Sequence, residues 1–303
     1  MEKKRVAIIG ATGAVGQEFV QSLNNHPWFE VTQIAASERS AGKKYIDAIR
    51  DAGGIISWSV GGEIPEYIKD MTVRRIDELD VSQLDMVFSA VESGAARDIE
   101  TKMAADVPVI STSSAFRYED DVPMLIPGIN DEQAELLEVQ KKNRNWKGWV
   151  APLPNCTTIG LAITLKPLFE KYGAKKVMMT SMQAISGGGK SGVTAMGITD
   201  NIFPYIPKEE GKVKKETRKI LGKLKDGKIE DADIRVSCTC TRVPVIDGHT
   251  ESVFVETEKE IDPSMAKETY NQYNKDISVA GLPSAPEKYY ACLLYTSPSP
   301  RDS

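Results

Sequence analysis

Arg5-Val6-Ala7-Ile8-Ile9 runs directly into Gly10-Ala11-Thr12-Gly13-Ala14-Val15-Gly16, and this stretch near the N-terminus decides the fold. The aliphatic run has the character of a buried strand, and residues 17–23 have a helical pattern. Glycines at such a turn let the backbone approach a diphosphate, and the helix N-terminus offers N–H donors to its charge. Tight strand–helix turns also need glycine without any ligand, but this context favours a dinucleotide fingerprint. The predicted cofactor-binding residues are Gly10, Thr12, Gly13, Ala14, Val15 and Gly16.

Strand-like runs recur along the first half of the chain and alternate with helical stretches. The predicted strands cover residues 4–10, 30–36, 85–91, 107–112 and 148–153, the last of them after a helix at 131–146. Such alternation predicts a parallel, doubly wound sheet. We therefore expect an α/β, Rossmann-like NADP-binding domain over residues 1–154.

The pattern changes after residue 155. Longer β runs at 176–185, 234–245 and 251–256 are combined with helices, which predicts an α+β catalytic and dimerisation domain over residues 155–290. We expect its sheet to pack against a second subunit. The lysine-rich stretch 208–228 is predicted to be a helix with a solvated face.

The cofactor can be inferred from the end of the second predicted strand. An NAD site usually has an acidic residue there, which binds the ribose 2′-hydroxyl. Here the strand ends at Ser37, followed by Glu38, Arg39 and Ser40, with Lys43 nearby. Hydroxyls and cations suit a 2′-phosphate, so NADP is favoured and Ser37, Arg39 and Ser40 are the candidate ligands. Glu38 keeps NAD possible.

One cysteine lies in a loop rich in proline and asparagine, Pro152-Leu153-Pro154-Asn155-Cys156, before a helical pattern from Thr157 to Tyr172. A thiol at a helix N-terminus is close to the positive end of the helix dipole, which favours the nucleophilic thiolate. Cysteine is also a common small residue of apolar cores, so this position alone leaves both interpretations open.

The chain has only two histidines. His26 precedes Pro27 after the first helix, and we predict that it faces solvent in a loop. His249 follows the turn dipeptide Asp247-Gly248 between two β runs, where it can face a cleft. Histidine exchanges a proton near neutral pH, so Cys156 and His249 together fit a nucleophile and its general acid/base partner.

Composition excludes several classes of protein. The net charge is −5 over 303 residues, so the chain lacks the excess of positive charge that is typical of proteins that bind nucleic acids or anionic membranes. We find no apolar run long enough to span a membrane and no signal peptide. Four cysteines are too few to suggest a disulfide framework, so we expect a cytoplasmic protein. Cys238 and Cys240 share a strand face and are predicted to be structural, so no metal site is expected.

Several motifs in a fixed order carry a family resemblance. They are GATGAVG (10–16), ASERSAGKKY (36–45), STSSAFR (111–117), PLPNCTTIG (152–160), MQAISGGGKSG (182–192), EEGKVKKETRKILG (209–222) and RVPVIDGHTESV (242–253). Together they resemble the aspartate-β-semialdehyde dehydrogenases, in the branch typical of archaea and fungi. The resemblance implies NADPH-dependent reduction of β-aspartyl phosphate to the semialdehyde through a cysteine thioester, in lysine, threonine and methionine biosynthesis. It also implies a homodimer or homotetramer.

The resemblance also implies residue roles. Cys156 would be the nucleophile, His249 the acid/base, and Gln183 would position the thioacyl intermediate. The implied substrate site contains Arg117 for the phosphate, Arg242 for the α-carboxylate, Glu209 towards the amino group, Lys212 in the phosphate pocket, and Asn155. Ser186 and Gly187 would lie near the nicotinamide. Glu210 remains an alternative to Glu209.

Two other functions stay open. A thioester reductase similar to malonyl-CoA reductase shares the Cys/His pair, although Arg242 with Glu209 favours an amino-acid substrate. The chain could also be a truncated, inactive NADP-binding protein. The resemblance stops after Lys288, and we expect residues 291–303 to be a non-native, disordered tail on a truncated reading frame, with a weakened cofactor site.

Overall fold

A computed structural model of the chain describes residues 2–188 and 192–291. In it, six parallel strands form one sheet in the order β3-β2-β1-β4-β5-β6, which is the doubly wound order of dinucleotide-binding domains. The strands are β1 (Lys4–Ile9), β2 (Phe29–Ala35), β3 (Val73–Arg74), β4 (Met86–Ser89), β5 (Val109–Ser111) and β6 (Val150–Pro152).

Helices cover both faces of this sheet. They are α1 (Ala14–Ser22), α2 (Tyr45–Ala48), α3 (Glu66–Lys69), α4 (Ser93–Ala104) and α5 (Leu136–Arg144). Successive side chains of a strand point to opposite faces, so Val6 and Ile8 join one apolar core while Ala7 and Ile9 join the other. The run 6–9 is 0% exposed because both faces of β1 are covered.

The second half of the chain contains a three-stranded sheet in the order β10-β7-β11, with β7 (Ala174–Gln183), β10 (Arg235–Arg242) and β11 (Thr250–Thr257). Strand β10 is parallel to β7 and β11 is antiparallel to it. The helices are α6 (Cys156–Tyr172), α7 (Ala195–Ile198), α8 (Glu209–Ile220) and α9 (Pro263–Asp276), and β8 (Lys223–Lys225) pairs with β9 (Lys228–Glu230).

Within residues 2–188 and 192–291, one face of the three-stranded sheet is covered and the other is open. Leu161 and Leu165 of α6 and Val213 of α8 pack with Val177 and Met179 of β7 in a buried core. On the opposite face Met178 and Phe254 are paired across the strands and are 61% and 70% exposed. Large apolar side chains in the middle of an open sheet face indicate a surface for another protein chain.

The predicted fold class is confirmed, and two details of the sequence prediction are wrong. The helix predicted for 208–228 ends at Ile220, because Asp226 and Gly227 both have positive φ and form the turn of the β8–β9 hairpin. The predicted solvated face is present, since Lys214, Lys215 and Arg218 are exposed, whereas Glu216 on the opposite side is 0% exposed.

His26 is the second correction. The ring is 9% exposed instead of facing solvent, and it stacks on Phe29 with ring centroids 4.9 Å apart. It also lies 3.2 Å from the hydroxyl of Ser284, a residue far along the chain whose approach the local sequence does not reveal. The predicted tail lies outside the described residues, apart from Ala291. Among the described helices, none has the length and apolarity to cross a membrane.

Candidate active site

The nucleophile candidate lies at the first position of α6. Asn155 caps this helix, since its side-chain oxygen accepts a hydrogen bond from the backbone N–H of Thr158 at 3.2 Å. The sulfur of Cys156 is exposed at a cavity of about 570 Å³ that His249 and Glu251 also line. The helix start therefore presents the thiol to an open cleft.

The histidine candidate faces this sulfur. His249 is in the loop between β10 and β11, where Gly248 adopts a φ of +81°. Its Nε2 atom lies 3.1 Å from Sγ of Cys156. The two predicted residues, far apart in sequence, are thus in hydrogen-bonding contact.

The other ring nitrogen has a partner that fixes the tautomer. The backbone N–H of Ala184 donates to Nδ1 of His249 at 3.1 Å. Because a backbone N–H can only donate, Nδ1 must carry a lone pair, and the neutral ring then has its proton on Nε2. Burial and the neighbouring Arg242 lower the pKa of His249, which favours this neutral form.

The thiol behaves differently from the sequence-based expectation. Burial, followed by the charge of Glu209, raises the pKa of Cys156, while the N–H groups at the start of α6 oppose this shift. The helix start thus favours the thiolate, as predicted from the sequence, but in the free protein this effect does not outweigh the lost hydration of the anion. The reason is that a dipole effect at a helix end is small compared with the desolvation of an anion.

Arg242 lies beside the histidine at the end of β10. It is 7% exposed, and its Nη1 donates to the carbonyl of Ala184 at 2.7 Å. A Cβ on Gly187 would lie 3.0 Å from this Nη1 and 3.1 Å from Cε1 of His249. Only glycine therefore fits at residue 187 without displacing both side chains, and Ser186 precedes it in the same 3-10 turn.

Glu209, at the first position of α8, approaches the helix cap next to the cysteine. Its Oε1 accepts a hydrogen bond from Nδ2 of Asn155 at 2.6 Å, and its Oε2 pairs with Nζ of Lys212 at 3.1 Å. Glu210, the next residue of the helix, is half-buried, and its backbone carbonyl accepts a hydrogen bond from Sγ of Cys238 at 3.5 Å. The geometry thus favours Glu209 over Glu210 as the acid of the site.

Two further candidates are more buried than a ligand-binding role would suggest. Arg117, in the loop after β5, is 7% exposed and pairs with Glu216 at 3.1 Å. Gln183 is 1% exposed at the end of β7, where its side-chain amide donates to Ser181 at 3.2 Å, and it is level with Arg242 in the sheet.

The glycine-rich turn has the geometry that a diphosphate requires. Gly10 has a φ of +78°, and a Cβ on Gly16 would lie 2.1 Å from the carbonyl oxygen of Gly10, so neither position accepts a side chain. Gly13 is the N-cap of α1 and provides no side-chain cap, so the N–H groups of the first turn remain for an anion. Thr12 and Ala14 are half-buried, and Val15 is exposed. These residues fit a dinucleotide.

The loop after β2 contains the residues predicted to bind a 2′-phosphate. Ser37 and Arg39 are exposed, whereas Ser40 is 2% exposed and its backbone N–H donates to the carbonyl of Ser37 at 2.9 Å. Arg75, which follows the neighbouring strand β3, forms an ion pair with Glu38 at 3.3 Å. This further cation, besides Arg39 and Lys43, is not evident from the sequence because only sheet pairing brings it to the loop.

Two acids near the site, one buried and one half-buried, have no role in the sequence prediction. Glu216 accepts hydrogen bonds from the Arg117 loop and from Asn155 at the start of α6, and it lies in the motif 209–222. Burial raises the pKa of Glu251, two residues after His249, to about 7. Its carboxylate lies against Gly160, where a Cβ would be 3.1 Å from Oε1. Among the described residues, no cluster of His, Cys, Asp and Glu forms a metal site.

Comparison with known proteins identifies the family. Residues 5–137 match the profile of the semialdehyde dehydrogenase NAD-binding domain, and residues 165–288 match that of the semialdehyde dehydrogenase dimerisation domain. The aspartate-semialdehyde dehydrogenase of Methanothermobacter thermautotrophicus is 44% identical over 93% of this chain and 80% of its own length. The chain belongs to the aspartate-semialdehyde dehydrogenase family. The family resemblance predicted from the ordered motifs is thereby confirmed.

Other relatives and solved structures of the family agree. The enzyme of Archaeoglobus fulgidus is 48% identical over 93% of this chain and 79% of its own length. The crystal structure of aspartate-semialdehyde dehydrogenase with NADP from Candida albicans has a TM-score of 0.79 at 36% identity, covering 89% of this chain and 77% of that one. A Vibrio cholerae enzyme complexed with ASA has a TM-score of 0.71 at 28% identity, covering 90% and 80%. The chain is thus an oxidoreductase of this family, with a nicotinamide-dinucleotide-binding domain and a dimerisation domain.

Proposed function

We propose that the chain catalyses the reversible, NADPH-dependent reductive dephosphorylation of β-aspartyl phosphate to aspartate β-semialdehyde. The observation that carries this proposal is the 3.1 Å contact between Cys156 and His249, with Arg242 and Glu209 beside it, in a chain of this family. A thioester accepts hydride readily and a carboxylate does not, which explains the need for a cysteine at this point.

The reaction begins with covalent attack. The thiolate of Cys156 adds to the acyl carbon, the bond to the phosphate oxygen breaks, and a thioester remains on the protein. Arg117 and Lys212 are the cations proposed to stabilise the leaving phosphate. The proton of the Cys156 thiol is lost to solvent before this attack, because the pKa of the thiol is raised and Nε2 of His249 already carries a proton.

Reduction of the thioester follows. NADPH, when bound, supplies the hydride for the thioester carbon. The Nε2–H group of His249 donates a hydrogen bond to the oxyanion that develops on the thioester oxygen. Collapse of this tetrahedral species expels the Cys156 thiolate and releases the aldehyde. With Nδ1 held by Ala184, the neutral ring acts as a hydrogen-bond donor, which refines the general acid/base role expected from the sequence.

Substrate selection rests on charge complementarity. The Arg242 guanidinium can hold a planar carboxylate through paired hydrogen bonds, and Glu209 supplies a negative charge for an ammonium group. A malonyl group has no amine to engage this acid. The relatives named above support the aspartyl substrate and not the malonyl-CoA reductase-like alternative.

The test measures NADPH formation from NADP, aspartate β-semialdehyde and inorganic phosphate with the purified protein. We expect phosphate-dependent turnover that Cys156→Ala abolishes and Cys238→Ala retains, because Cys238 is buried in β10. Equal turnover by Cys156→Ala, or turnover with malonyl-CoA but none with the aspartyl substrate, would contradict the proposal.

We further propose that the chain forms a homodimer, or a homotetramer built from such dimers, through the open face of the β10-β7-β11 sheet. Met178 and Phe254 supply its apolar centre, and Thr180 lies beside them on β7 between Thr239 and Ser252.

A cytoplasmic location agrees with the free state of the three described cysteines.

A further inference from the structure

Helix α8 carries buried charges along one face. Glu209, Glu216 and Lys219 are 6%, 0% and 8% exposed, at intervals that place all three on the same side of the helix. Charged side chains are rarely buried unless they are paired, because an unpaired charge loses its hydration without compensation. Each buried charge of α8 therefore points to a specific partner elsewhere in the fold.

Glu216 has partners in two separate segments. Its Oε1 accepts hydrogen bonds from Nη1 of Arg117 at 3.1 Å and from the hydroxyl of Tyr118 at 3.0 Å. Its Oε2 accepts the backbone N–H of Asn155 at 2.6 Å. One buried carboxylate thus joins the loop that follows β5 to the residue that caps the helix of Cys156.

Lys219 holds the backbone of the same loop. Its Nζ donates to the carbonyl oxygen of Arg117 at 2.8 Å and to that of Glu119 at 2.9 Å. The side chain and the backbone of Arg117 are therefore both attached to α8. This arrangement leaves the arginine little freedom to change its position relative to Cys156.

Arg117 retains one donor that the protein does not use. Its Nε is buried and has no acceptor among the described residues, although Nη1 bonds to Glu216 and Nη2 donates to the carbonyl of Thr112 at 3.2 Å. A buried, unsatisfied guanidinium N–H carries a desolvation cost that an anionic acceptor can offset. The unused donor leaves this buried guanidinium with hydrogen-bonding capacity that the described residues do not satisfy.

We propose that Glu216 is a positioning residue, which orients Arg117 towards the phosphate and at the same time holds the start of the helix that carries Cys156. The proposal rests on the proposed function for the identity of the anion. It goes beyond that function because Glu216 is not among the proposed substrate contacts. Its assigned role is to couple the anion site at Arg117 to the nucleophile Cys156.

The chemistry of the contacts requires a carboxylate at residue 216. Three donors converge on its two oxygens, so glutamine would turn an N–H₂ group towards one of them and would leave the buried Arg117 without a counter-charge. Aspartate keeps the charge but is one methylene shorter, so it cannot reach both segments. Tyr118→Phe removes a single donor and leaves the other two in place.

The experiment follows alkylation of Cys156 by iodoacetamide across pH, with and without inorganic phosphate, and the KM for phosphate in turnover. For Glu216→Gln and Glu216→Asp we expect the phosphate KM to rise about tenfold or more, because small displacements in a preorganised site are costly. Phosphate should slow alkylation of the native protein, and the variants should need correspondingly more phosphate for the same effect. Tyr118→Phe should shift in the same direction by less, and the exposed Glu138→Gln should match the native protein.

The outcomes separate a positioning role from a structural one. A folded Glu216→Gln with native phosphate KM and native alkylation profile overturns the proposal, even if its melting temperature falls. If that variant does not fold, Tyr118→Phe decides, and an unchanged response to phosphate overturns the proposal. Alkylation requires no turnover, so it remains readable if the proposed reaction is not observed.

Discussion

The backbone N–H of Ala184 and Nδ1 of His249 form a hydrogen bond of 3.1 Å, which directs the ring proton towards Cys156. A side chain that donates from the same position should therefore replace part of the function of the imidazole. Removing an oxyanion donor lowers kcat by about 10²–10³-fold, and we expect this loss for His249→Ala. His249→Gln should lose about tenfold less, because its amide can still donate a hydrogen bond. Steady-state kinetics of both variants test this, and equal losses would argue for obligatory proton transfer.

The pKa of Cys156 gives a second prediction. Burial and Glu209 disfavour the thiolate, so the rate of alkylation of the free protein should rise with pH, with a midpoint above that of an unperturbed thiol. Glu209→Gln removes a negative charge near the sulfur and should lower this midpoint, whereas Glu210→Gln should change it less. Mass spectrometry of the labelled Cys156 peptide measures the rate. A midpoint below that of free cysteine would instead show that the N-terminus of α6 activates the thiolate.

Glu251 should make stability depend on pH. Its pKa is raised by burial from 4.5 to about 7, so the folded chain binds more protons than the unfolded chain between these values. Its contribution to stability is present below pH 4.5 and is lost as the pH rises through 7. Glu251→Gln should therefore be more stable than the native protein at pH 8, by on the order of 2 kcal/mol, and not at pH 4.

Chemical denaturation of Glu251→Gln and of the native protein at the two pH values provides the measurement. The exposed Glu138→Gln is the matched control. The same difference in free energy of unfolding at both pH values would show that Glu251 does not titrate in this range.

Cofactor selectivity should depend on the loop after β2. Arg39 is exposed there, with Ser37 two residues before it and Arg75 close to the same loop. Arg39→Ala removes a cation that would contact a 2′-phosphate, so the KM for NADPH should rise about tenfold while that for NADH stays the same. Arg50→Ala, which lies outside this loop, serves as control. A parallel rise for both cofactors would assign Arg39 to general nucleotide binding.

The exposed sheet face predicts an association that a charge would disrupt. Met178→Glu and Phe254→Glu should each shift the chain towards monomer, because burial of an unpaired carboxylate in an apolar interface is unfavourable. Light scattering after size-exclusion chromatography measures the mass in solution. Ile55→Glu introduces the same charge at an exposed residue of the first domain and should leave the mass as it is. Native assembly by both sheet variants would place the subunit contact elsewhere.

Local patterns were sufficient for the main elements of the fold. The glycine turn predicted β1 and α1, the observed strands β4, β5 and β6 lie within the predicted runs, and β2 begins one residue before its predicted run, at Phe29. The β8–β9 hairpin was missed although Asp226-Gly227 is a turn signal, because the lysine-rich periodicity before it was extended too far. Strand β3 has two residues, which is too short for any periodicity to appear.

Sequence patterns alone were enough to identify the chemical groups of the chain, which are a nucleotide-binding turn, one cysteine at a helix start and one histidine after a turn. These features are local, since backbone preferences of neighbouring residues specify turns and helix ends. The tertiary structure alone decided the proton position on His249, the raised pKa of Cys156 and the role of Glu216 as a link between two segments. The physical reason is that desolvation and hydrogen bonding depend on all groups surrounding an atom, and folding brings those groups from distant parts of the chain.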